Sequence, residues 1–548
     1  MKRGTLYLGM LWAPVVFLAM GLCTFLDHRL HVMAQNTPSE PATQVSAAAC
    51  RQCHAGFFDQ WSGSAHGSAA RPYSKELAQR TLNAHKGTIT IGGVTYQAEV
   101  GGGTGRMVAK GQWPWETKEY PVEHVLGGGR VLFFLTPGAR GRFLILPLAF
   151  EREKKAWIAT SQSGVTHALV DADPKSSQLQ VFSSTCYGCH VSQVSAPYDL
   201  KSDSYASMPK EPGIMCEACH GPVARHEETF RSTQGAAGRD LMLTSTRSLP
   251  AERVDALCGS CHGLVSPITA SFVPGEPLFD HYDIAMLEHT GFSPDGRNLG
   301  DTLTYTSWLM SPCARSGRLH CLSCHTLGGA YRFAGRERAN NACLPCHAAI
   351  VGNAAAHTHH SPSGPGGLCI SCHMAKLGPG GRGNTDHSML PPAPRASMAF
   401  RSPNACTACH KDRDNTWAEQ QLGKWHATDY QTRVIARAQL IDAARKKDWS
   451  RFDEMLSAVT SRDRDEVHAA SLIRLMNGYD DRRKVPALLA ALKDRSPLVR
   501  SAAAQGLGGV LDKGVIGQLA AAAGDPVRLV RIRSASSLAG AGKTALQP

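Results

Sequence analysis

The chain has 548 residues, of which 43% are hydrophobic and 19% charged, which is the composition of a globular protein with two or more domains. This composition excludes disordered, collagen-like and fully membrane-embedded proteins. The net charge is +13, and the 18 cysteines are more than a chain of this length needs to reinforce its core with disulfides. We therefore expect the cysteines to bind a ligand rather than to form disulfides.

The N-terminus has the pattern of an export signal. Two basic residues precede an apolar run from Leu6 to Leu26, which is long enough to span a bilayer. A signal peptide cleaved after Ala34 and a retained membrane anchor remain alternatives for residues 1–34. Both predict that the rest of the chain is periplasmic or otherwise extracytoplasmic, and a retained segment would anchor it to the inner membrane.

Sixteen of the 18 cysteines form eight Cys-x-x-Cys pairs, and histidine directly follows every pair. We number these motifs sites 1 to 8 in chain order. Their cysteines and histidines are Cys50, Cys53 and His54; Cys186, Cys189 and His190; Cys216, Cys219 and His220; Cys258, Cys261 and His262; Cys321, Cys324 and His325; Cys343, Cys346 and His347; Cys369, Cys372 and His373; Cys406, Cys409 and His410.

This pattern is the attachment motif for haem c. Two thiols three positions apart lie on one face of a helical turn, so they can form thioethers with the vinyl groups of one porphyrin. The next residue can then bind the iron as the proximal ligand. Zinc sites also use Cys-x-x-Cys pairs, but they do not require a histidine directly after each pair. Disulfides and redox dithiols also leave the histidines unexplained. The motifs predict eight covalently attached haem c groups.

The chain has 24 histidines, enough to supply a second imidazole to every haem. Iron with two imidazole ligands is six-coordinate and low-spin, which suits electron transfer rather than substrate binding. Position in the sequence favours four histidines as distal ligands. They are His66, shortly after site 1; His226, just past site 3; His320, next to site 5; and His387, before Ser388. The open candidates are the cluster of His357, His359 and His360, and also His124, His167, His281, His289 and His426.

Cys313 lies outside the motifs, eight residues before site 5. An unpaired cysteine is unusual in an oxidising compartment. Three roles stay open for it: a buried bystander, an axial thiolate, or a group that reacts with a sulfur or nitrogen substrate.

Between sites 1 and 2 the sequence alternates apolar and polar residues around turn glycines. Residues 87–96 alternate in this way and predict β structure, and the runs that begin at Arg130 and Arg142 predict two hairpin strands around Pro137. We predict a small antiparallel β insert at about residues 87–170. It lies within an octahaem cytochrome domain at residues 45–425, whose remainder is rich in glycine and proline with short helical pieces.

Helical periodicity begins near Trp417, after site 8. Similar segments starting at Val467, Val499 and Val530 then recur at a spacing of about 32 residues. They resemble short HEAT-type repeats, and we predict a repeat domain at residues 430–548. Such repeats usually present a face to protein partners. A domain that only caps the cytochrome domain is the alternative.

The predicted fold class is therefore mainly α, with little regular structure around stacked haems, a small antiparallel β insert and a C-terminal α-solenoid. The positive charge does not indicate nucleic-acid binding. Part of the surplus lies after Ala427, and haem propionates, at about −1 per ferric and −2 per ferrous haem, would offset the rest.

The cytochrome region, over about residues 45–430, resembles multihaem cytochromes of the hydroxylamine oxidoreductase and octahaem tetrathionate reductase superfamily. The resemblance implies that His66, His226 and His387 are distal ligands. The lysine-containing motif of the related pentahaem nitrite reductases does not occur here. The segments that carry the likeness are site 1 with Trp61 and His66; the run from Glu211 to Pro222; Ser311, Pro312 and Cys313 with site 5; and the run from Asp386 to Pro392 with Ser402 and site 8.

Two functions are compatible with these patterns. The favoured one is an electron carrier with eight haems that meets a redox protein through its haem edges or through the repeats. The alternative is a periplasmic oxidoreductase that acts on a small nitrogen or sulfur compound, of the hydroxylamine, nitrite or tetrathionate type. That activity requires one five-coordinate haem with an open distal position.

Overall fold

The computed structural model describes residues 45–163, 165, 179–182, 186–191, 198–206, 208, 211, 213–232, 240–300, 303–376, 385–426 and 428–540. The predicted signal or anchor at 1–34, and His167, lie outside these ranges. Within the ranges, no helix combines the length and the apolar composition needed to cross a membrane.

The chain divides into two compact units. The smaller unit comprises Met1–Val45 and Pro222–Arg239. Its described part contains helix Ala224–Ser232, in which Glu227 and Arg231 form an ion pair. The larger unit comprises Ser46–Gly221 and Asp240–Pro548, and it carries all eight sites and the C-terminal repeats.

Between sites 1 and 2 the described chain forms two antiparallel sheets. The predicted antiparallel β structure is confirmed. Val131–Pro137 pairs with Phe143–Ile145 as the predicted hairpin, and Ile89–Ile91 pairs with Val94–Glu99. The seven-stranded sheet contains Ala70–Pro72, His124–Leu126, Val131–Pro137, Phe143–Ile145, Leu148–Glu151, Ala156–Ala159 and Gln180–Val181. The four-stranded sheet contains Ile89–Ile91, Val94–Glu99, Gly105–Lys110 and Thr117–Val122.

Alternating apolar residues of these strands form a conventional core. Tyr96, Met107, Phe134 and Phe150 are each at most 2% exposed within it. A second small cluster joins the seven-stranded sheet to site 2, because Tyr187 packs there among buried sheet residues. Two ribbons complete the described strands: Tyr198–Asp199 with Ser204–Tyr205, and Val265–Pro267 with Tyr282–Ile284.

Short helices dominate the rest of the cytochrome region. Their bounds are Ala47–Ser62, Lys75–Thr81, Tyr187–His190, Glu217–His220, Ala251–His262, Thr304–Met310, Pro312–Arg315, Cys321–Cys324, Arg336–Ala339, Leu344–Gly352, Ala354–Thr358, Cys369–His373, Pro394–Phe400 and Ala405–Cys409.

The stretch from site 5 to site 8 has almost no hydrophobic core of its own. Between residues 321 and 410, the buried hydrophobic side chains of the described chain are Ala339, Ala375, Ala393 and Ala396. Four methyl groups cannot offset the conformational entropy of ordering about 90 residues. A compact structure here therefore requires another apolar filler, and porphyrins are a suitable one.

Helices at the C-terminus pack in successive pairs, as repeats do. Glu466–Met476 contacts Pro497–Leu507, which in turn contacts Arg528–Leu538. Asp494 and Asp525 accept backbone hydrogen bonds from Ser496 and Val527 at the starts of the second and third of these helices. The helices of this region are Asn415–Trp425, Gln431–Arg445, Phe452–Thr460, Glu466–Met476, Lys484–Ala491, Pro497–Leu507, Lys513–Ala522 and Arg528–Leu538.

The repeats share one hydrophobic core with the segment that follows site 4. Met286, Leu287 and Phe292 of that segment are buried together with Ile473 and Leu507 of the repeats.

Buried ion pairs reinforce this joint. Arg474 contacts Asp283 at 2.5 Å and Glu288 at 2.8 Å, and Arg533 contacts Asp283 at 2.5 Å. The repeats are thus packed onto the cytochrome region, with part of their surface already occupied.

Candidate haem-binding sites

Each motif lies on a helical segment, as its chemistry requires. In site 2, site 6 and site 8 the histidine N–H donates to the carbonyl of the first cysteine, at 3.1, 2.9 and 2.9 Å, which closes one helical turn. This turn places both thiols on one side, with the imidazole directly after them. His54 and His347 depart from helical angles, with ψ of 43° and 35°, so the helix kinks at the proposed ligand.

Backbone carbonyls fix the orientation of several motif histidines. In each case Nδ1 donates to a carbonyl oxygen. The pairs are His190 to Ala69 at 2.8 Å, His220 to Thr244 at 2.9 Å, His325 to Gly329 at 3.1 Å and His373 to Met389 at 3.3 Å. A proton held on Nδ1 leaves Nε2 with its lone pair, which is the arrangement of metal-binding histidine.

Four motif histidines each face a second imidazole. The ring centroids are 6.1 Å apart for His66 and His262, 6.3 Å for His387 and His325, 6.3 Å for His357 and His373, and 6.0 Å for His360 and His410. An iron–nitrogen bond of about 2 Å puts each ligand ring about 3 Å from the metal, so two ligands on one iron have centroids about 6 Å apart. The four pairs, at sites 4, 5, 7 and 8, fit an iron between their rings.

The second histidine of three pairs shows the same carbonyl contact as the motif histidines. Nδ1 of His66 donates to Leu327 O at 3.3 Å, Nδ1 of His387 to Thr385 O at 2.8 Å, and Nδ1 of His360 to Thr358 O at 2.5 Å. Gly366 packs so closely on His360 that a Cβ atom there would lie 2.3 Å from the ring. The backbone therefore holds these rings with Nε2 available.

Burial favours the neutral form of His66, His262 and His387, which is the form that binds a metal. It lowers the pKa of His262 to about 4, with contributions from the nearby rings of His66, His387 and His325. Burial also lowers the pKa of His66 and of His387. The four rings of sites 4 and 5 thus form one group of neighbours.

Hydrogen bonding sets other histidines apart from this pattern. His281 uses both nitrogens, Nδ1 toward Thr269 and Ser271, and Nε2 toward Glu276. His289 accepts a hydrogen bond from Gly291 N at Nδ1, so its proton lies on Nε2. Neither has a free Nε2 lone pair to offer a metal.

The remaining expected ligands have different surroundings. His320 starts helix Cys321–Cys324, where its N–H donates to Ser323 Oγ at 3.2 Å. Its ring contacts no motif histidine among the described residues. His226 lies in the smaller unit, 4.8 Å from the ring of Phe230. His124 lies in the seven-stranded sheet, edge-on to Phe143 at 5.0 Å.

Thiols of different motifs contact one another. Cys216 contacts Cys50, Cys189 contacts Cys261, Cys321 contacts Cys258, and Cys343 contacts Cys369. Cys219 also lies near Cys258 and Cys261, Cys324 near Cys343, and Cys372 near Cys406 and Cys409. Because these thiols bind porphyrin vinyl groups in a haem c protein, adjacent thiols indicate adjacent porphyrin edges.

These contacts arrange the motifs in a single order that is not the order of the chain. Sites 1, 3, 4, 5, 6, 7 and 8 follow one another, and site 2 adjoins site 4. Hydrogen bonds support the same neighbours. Trp61 Nε1 of the first motif helix donates to Ile214 O before site 3 at 2.7 Å, and Cys369 N of site 7 donates to Asn340 Oδ1 before site 6 at 2.9 Å.

No group of three or more histidine, cysteine, aspartate or glutamate side chains converges as a metal site in the part of the chain that the structure describes. No disulfide links the cysteines of sites 4 to 8.

Two polar residues that support the sites were not predicted. Asp255 is buried and accepts hydrogen bonds from Trp308 Nε1 at 2.7 Å and from Cys321 N at 2.8 Å, so it joins sites 4 and 5. Arg297 is buried and contacts Asp386 beside His387. A single acidic or basic residue gives no sequence signal of its burial.

The thiol of Cys313 lies near Cys324 of site 5 and Cys343 of site 6. Its role as bystander, ligand or reactive group stays open.

Comparison with known proteins identifies the two parts of the chain. The family described as cytochrome c554 and c-prime matches residues 150–221, which contain sites 2 and 3, and HEAT repeats match residues 454–539. The chain is similar in structure to the outer cell wall cytochrome OcwA, with 18% identity, coverage of 84% of this chain and 99% of that chain, and a TM-score of 0.48. No curated protein matches the chain. A segment of the chain thus matches a c-type cytochrome family, and the predicted HEAT repeats are confirmed over residues 454–539.

Proposed function

We propose that the protein is an extracytoplasmic electron carrier that binds eight haem c groups, and that its repeats dock a redox partner. The observation that carries this proposal is the set of four imidazole pairs at 6.0 to 6.3 Å. Haem supplies one-electron chemistry, and two imidazoles on one iron leave no position for substrate. Attachment of haem c outside the cytoplasm agrees with the predicted export signal.

The order of the sites supports electron transport over distance rather than electron storage. Neighbouring thiols bring successive sites together from site 1 to site 8. Electron tunnelling slows steeply with edge separation, so a continuous series of close sites is the arrangement that conduction needs. Site 2 is a branch, because its thiol contacts site 4.

Contacts at site 8 support docking through the repeat end. The ring of Trp417, on the first helix after this site, lies 4.8 Å from His410, and Trp425 at the other end of that helix lies 5.9 Å from His360. A partner bound at the start of the C-terminal helical region, on helix Asn415–Trp425, would therefore approach site 8. We assign the redox partner to the faces of the repeats that do not pack on the cytochrome region.

The deciding experiment is an EPR spectrum of the fully oxidised holoprotein, with haem per chain counted in parallel. We expect eight haems, all of them low-spin. A high-spin signal from about one haem in eight would support the alternative, an oxidoreductase that acts on a small nitrogen or sulfur compound. A count well below eight would contradict the attachment of haem at every motif.

A further inference from the structure

One short loop, residues 385–391, serves two sites. Its His387 ring lies 6.3 Å from His325, the motif histidine of site 5. Two residues later, the Met389 carbonyl accepts the Nδ1 proton of His373, the motif histidine of site 7, at 3.3 Å. A displacement of this loop would therefore disturb both sites together.

The loop does not adopt its conformation by default. Met389 has φ of +53°, in the left-handed region that side chains other than glycine rarely adopt. Such a residue persists only where its surroundings hold it in place.

Arg297 holds the loop from one side. Its Nη1 lies 2.5 Å from Asp386 Oδ2, and its Nη2 donates to Pro391 O at 2.5 Å and to Leu390 O at 3.3 Å. The guanidinium thus fastens both ends of the loop, and both charged side chains are at most 5% exposed. Asp386 also accepts hydrogen bonds from the backbone and the hydroxyl of Ser388, at 2.9 and 3.0 Å.

The turn that carries Arg297 is itself anchored. Asp295, two residues earlier, is buried and accepts the hydroxyl proton of Ser402 at 2.7 Å, shortly before site 8. The three buried charges are thus one arginine and two aspartates.

The members of the Arg297–Asp386 pair lie toward different sites. Arg297 donates to Leu390 O at 3.3 Å, directly after Met389, whose carbonyl holds His373 of site 7. Asp386 directly precedes His387, which faces the motif histidine of site 5. Site 7 thus has the positive member of the pair nearby, and site 5 the negative member.

We propose that the Arg297–Asp386 pair is a positioning device that holds the 385–391 loop and raises the reduction potential of site 7 relative to site 5. The inference rests on the proposed function. A buried positive charge favours the reduced form of a nearby redox centre, and a buried negative charge favours the oxidised form. The pair therefore makes the step from site 5 toward sites 7 and 8 more favourable than the reverse step.

The test is an EPR-monitored redox titration of the holoprotein. His387→Ala and His357→Ala first identify the low-spin signals of sites 5 and 7. The double variant R297Q/D386N removes both charges and leaves neither unpaired. We expect the site 5 signal to titrate at a higher potential and the site 7 signal at a lower one than in wild type.

Two further variants separate the effect of charge from that of loop position, and a third variant serves as the control. R297K keeps the charge but cannot reach Asp386, Leu390 and Pro391 together, so we expect a changed spectrum at sites 5 and 7. D386N alone should raise the potential of site 5, and it keeps the test informative if the double variant fails to load. R433Q breaks the exposed pair with Asp463, at 2.7 Å, and should leave every potential unchanged.

Unchanged potentials of sites 5 and 7 in the double variant, with wild-type haem content, would overturn the inference. Failure of the proposed function would look different. The wild-type spectrum would then lack the low-spin signals, or His387→Ala and His357→Ala would remove none of them.

Discussion

Histidine can bind iron through Nε2 only if its proton lies on Nδ1, so the partner of Nδ1 distinguishes a ligand from a structural histidine. His66 and His360 donate to backbone carbonyls, whereas His281 is bonded at both nitrogens. The carbonyl contact is a property of the local backbone, and it is visible before any metal is considered.

Replacement of His66 by alanine is expected to open site 4. The variant should still bind eight haems through its thioethers, but about one haem in eight should become high-spin and bind carbon monoxide. EPR and the optical spectrum with carbon monoxide measure this change.

His281→Ala is the matched control for this variant, because it removes a buried histidine outside the pairs. A wild-type spectrum of the His66 variant would contradict the assignment of this residue to site 4.

The sequence displays the eight motif histidines and favours His66 and His387 as distal ligands, but it does not indicate which motif histidine each of them faces. Each motif is local, whereas the pair of His66 and His262 joins residues that are far apart in the chain. Within the cluster before site 7, position alone could not separate His357 and His360 from His359, whose ring stacks on Trp425 at 4.7 Å.

At the scale of elements, the most informative contact is the joint between the repeats and the segment after site 4. Asp283 is 5% exposed and lies between Arg474 and Arg533, each 2.5 Å away. Removal of one member of a buried ion pair costs far more than loss of an exposed pair, because a charge is left without a partner.

We expect D283N to lower the free energy of unfolding by about 3 kcal/mol. Urea titration followed by tryptophan fluorescence measures the loss. R451Q, which breaks the more exposed contact with Glu454 at 2.6 Å, should lose at most about 1 kcal/mol. An equal loss in both variants would show that the joint adds no more to stability than an exposed ion pair does.

The same contact predicts a pH dependence. Burial raises the pKa of Asp283, but the two arginines outweigh burial and hold it below its ordinary value of 3.8. The carboxylate therefore contributes its full stability above about pH 4, and this contribution is lost as the pH falls through the lower folded-state value. The difference in stability between wild type and D283N should shrink in that acid range.

Periodic elements were predictable and the short helices were not. The hairpin of Ile89–Ile91 and Val94–Glu99, and the helices that begin at Glu466, Pro497 and Arg528, follow repeating patterns of apolar residues. Helices of four or five residues, such as Cys321–Cys324 and Cys369–His373, carry no such pattern. The position of these short helices depends on the haem groups that we propose they hold.

At the scale of the whole molecule, the sites form a line with one branch, so different deletions have different effects. C321A/C324A removes the attachment of site 5 and should separate sites 1 to 4 from sites 6 to 8. C186A/C189A removes the branch at site 2 and should leave the line intact. The two variants lose the same amount of haem, which makes them matched.

A photosensitiser attached at Asp412→Cys, an exposed position next to site 8, can deliver single electrons at that end. Freeze-quenched EPR then follows the site 4 signal, which His66→Ala identifies. The signal should disappear in wild type and in C186A/C189A but persist in C321A/C324A. Its loss in all three proteins would show that electrons cross by another path.

The eight motifs are recognisable in the sequence, but their arrangement in space is not. Chain order would place site 2 between sites 1 and 3, whereas the contacts of Cys50 with Cys216 and of Cys189 with Cys261 place it beside site 4. Spacing along the chain carries no information on which motifs meet, because folding of the β insert between sites 1 and 2 decides it.

The four buried alanines between residues 321 and 410 have a consequence for how the protein is made. A segment without its own core has no compact state to reach until its cofactors are bonded to it, so maturation must precede folding there. The attachment machinery consequently meets an open chain, with every thiol accessible. A copy that lacks all the cofactors of this segment stays unfolded there and is open to proteolysis, so proteolysis removes molecules whose segment was never loaded.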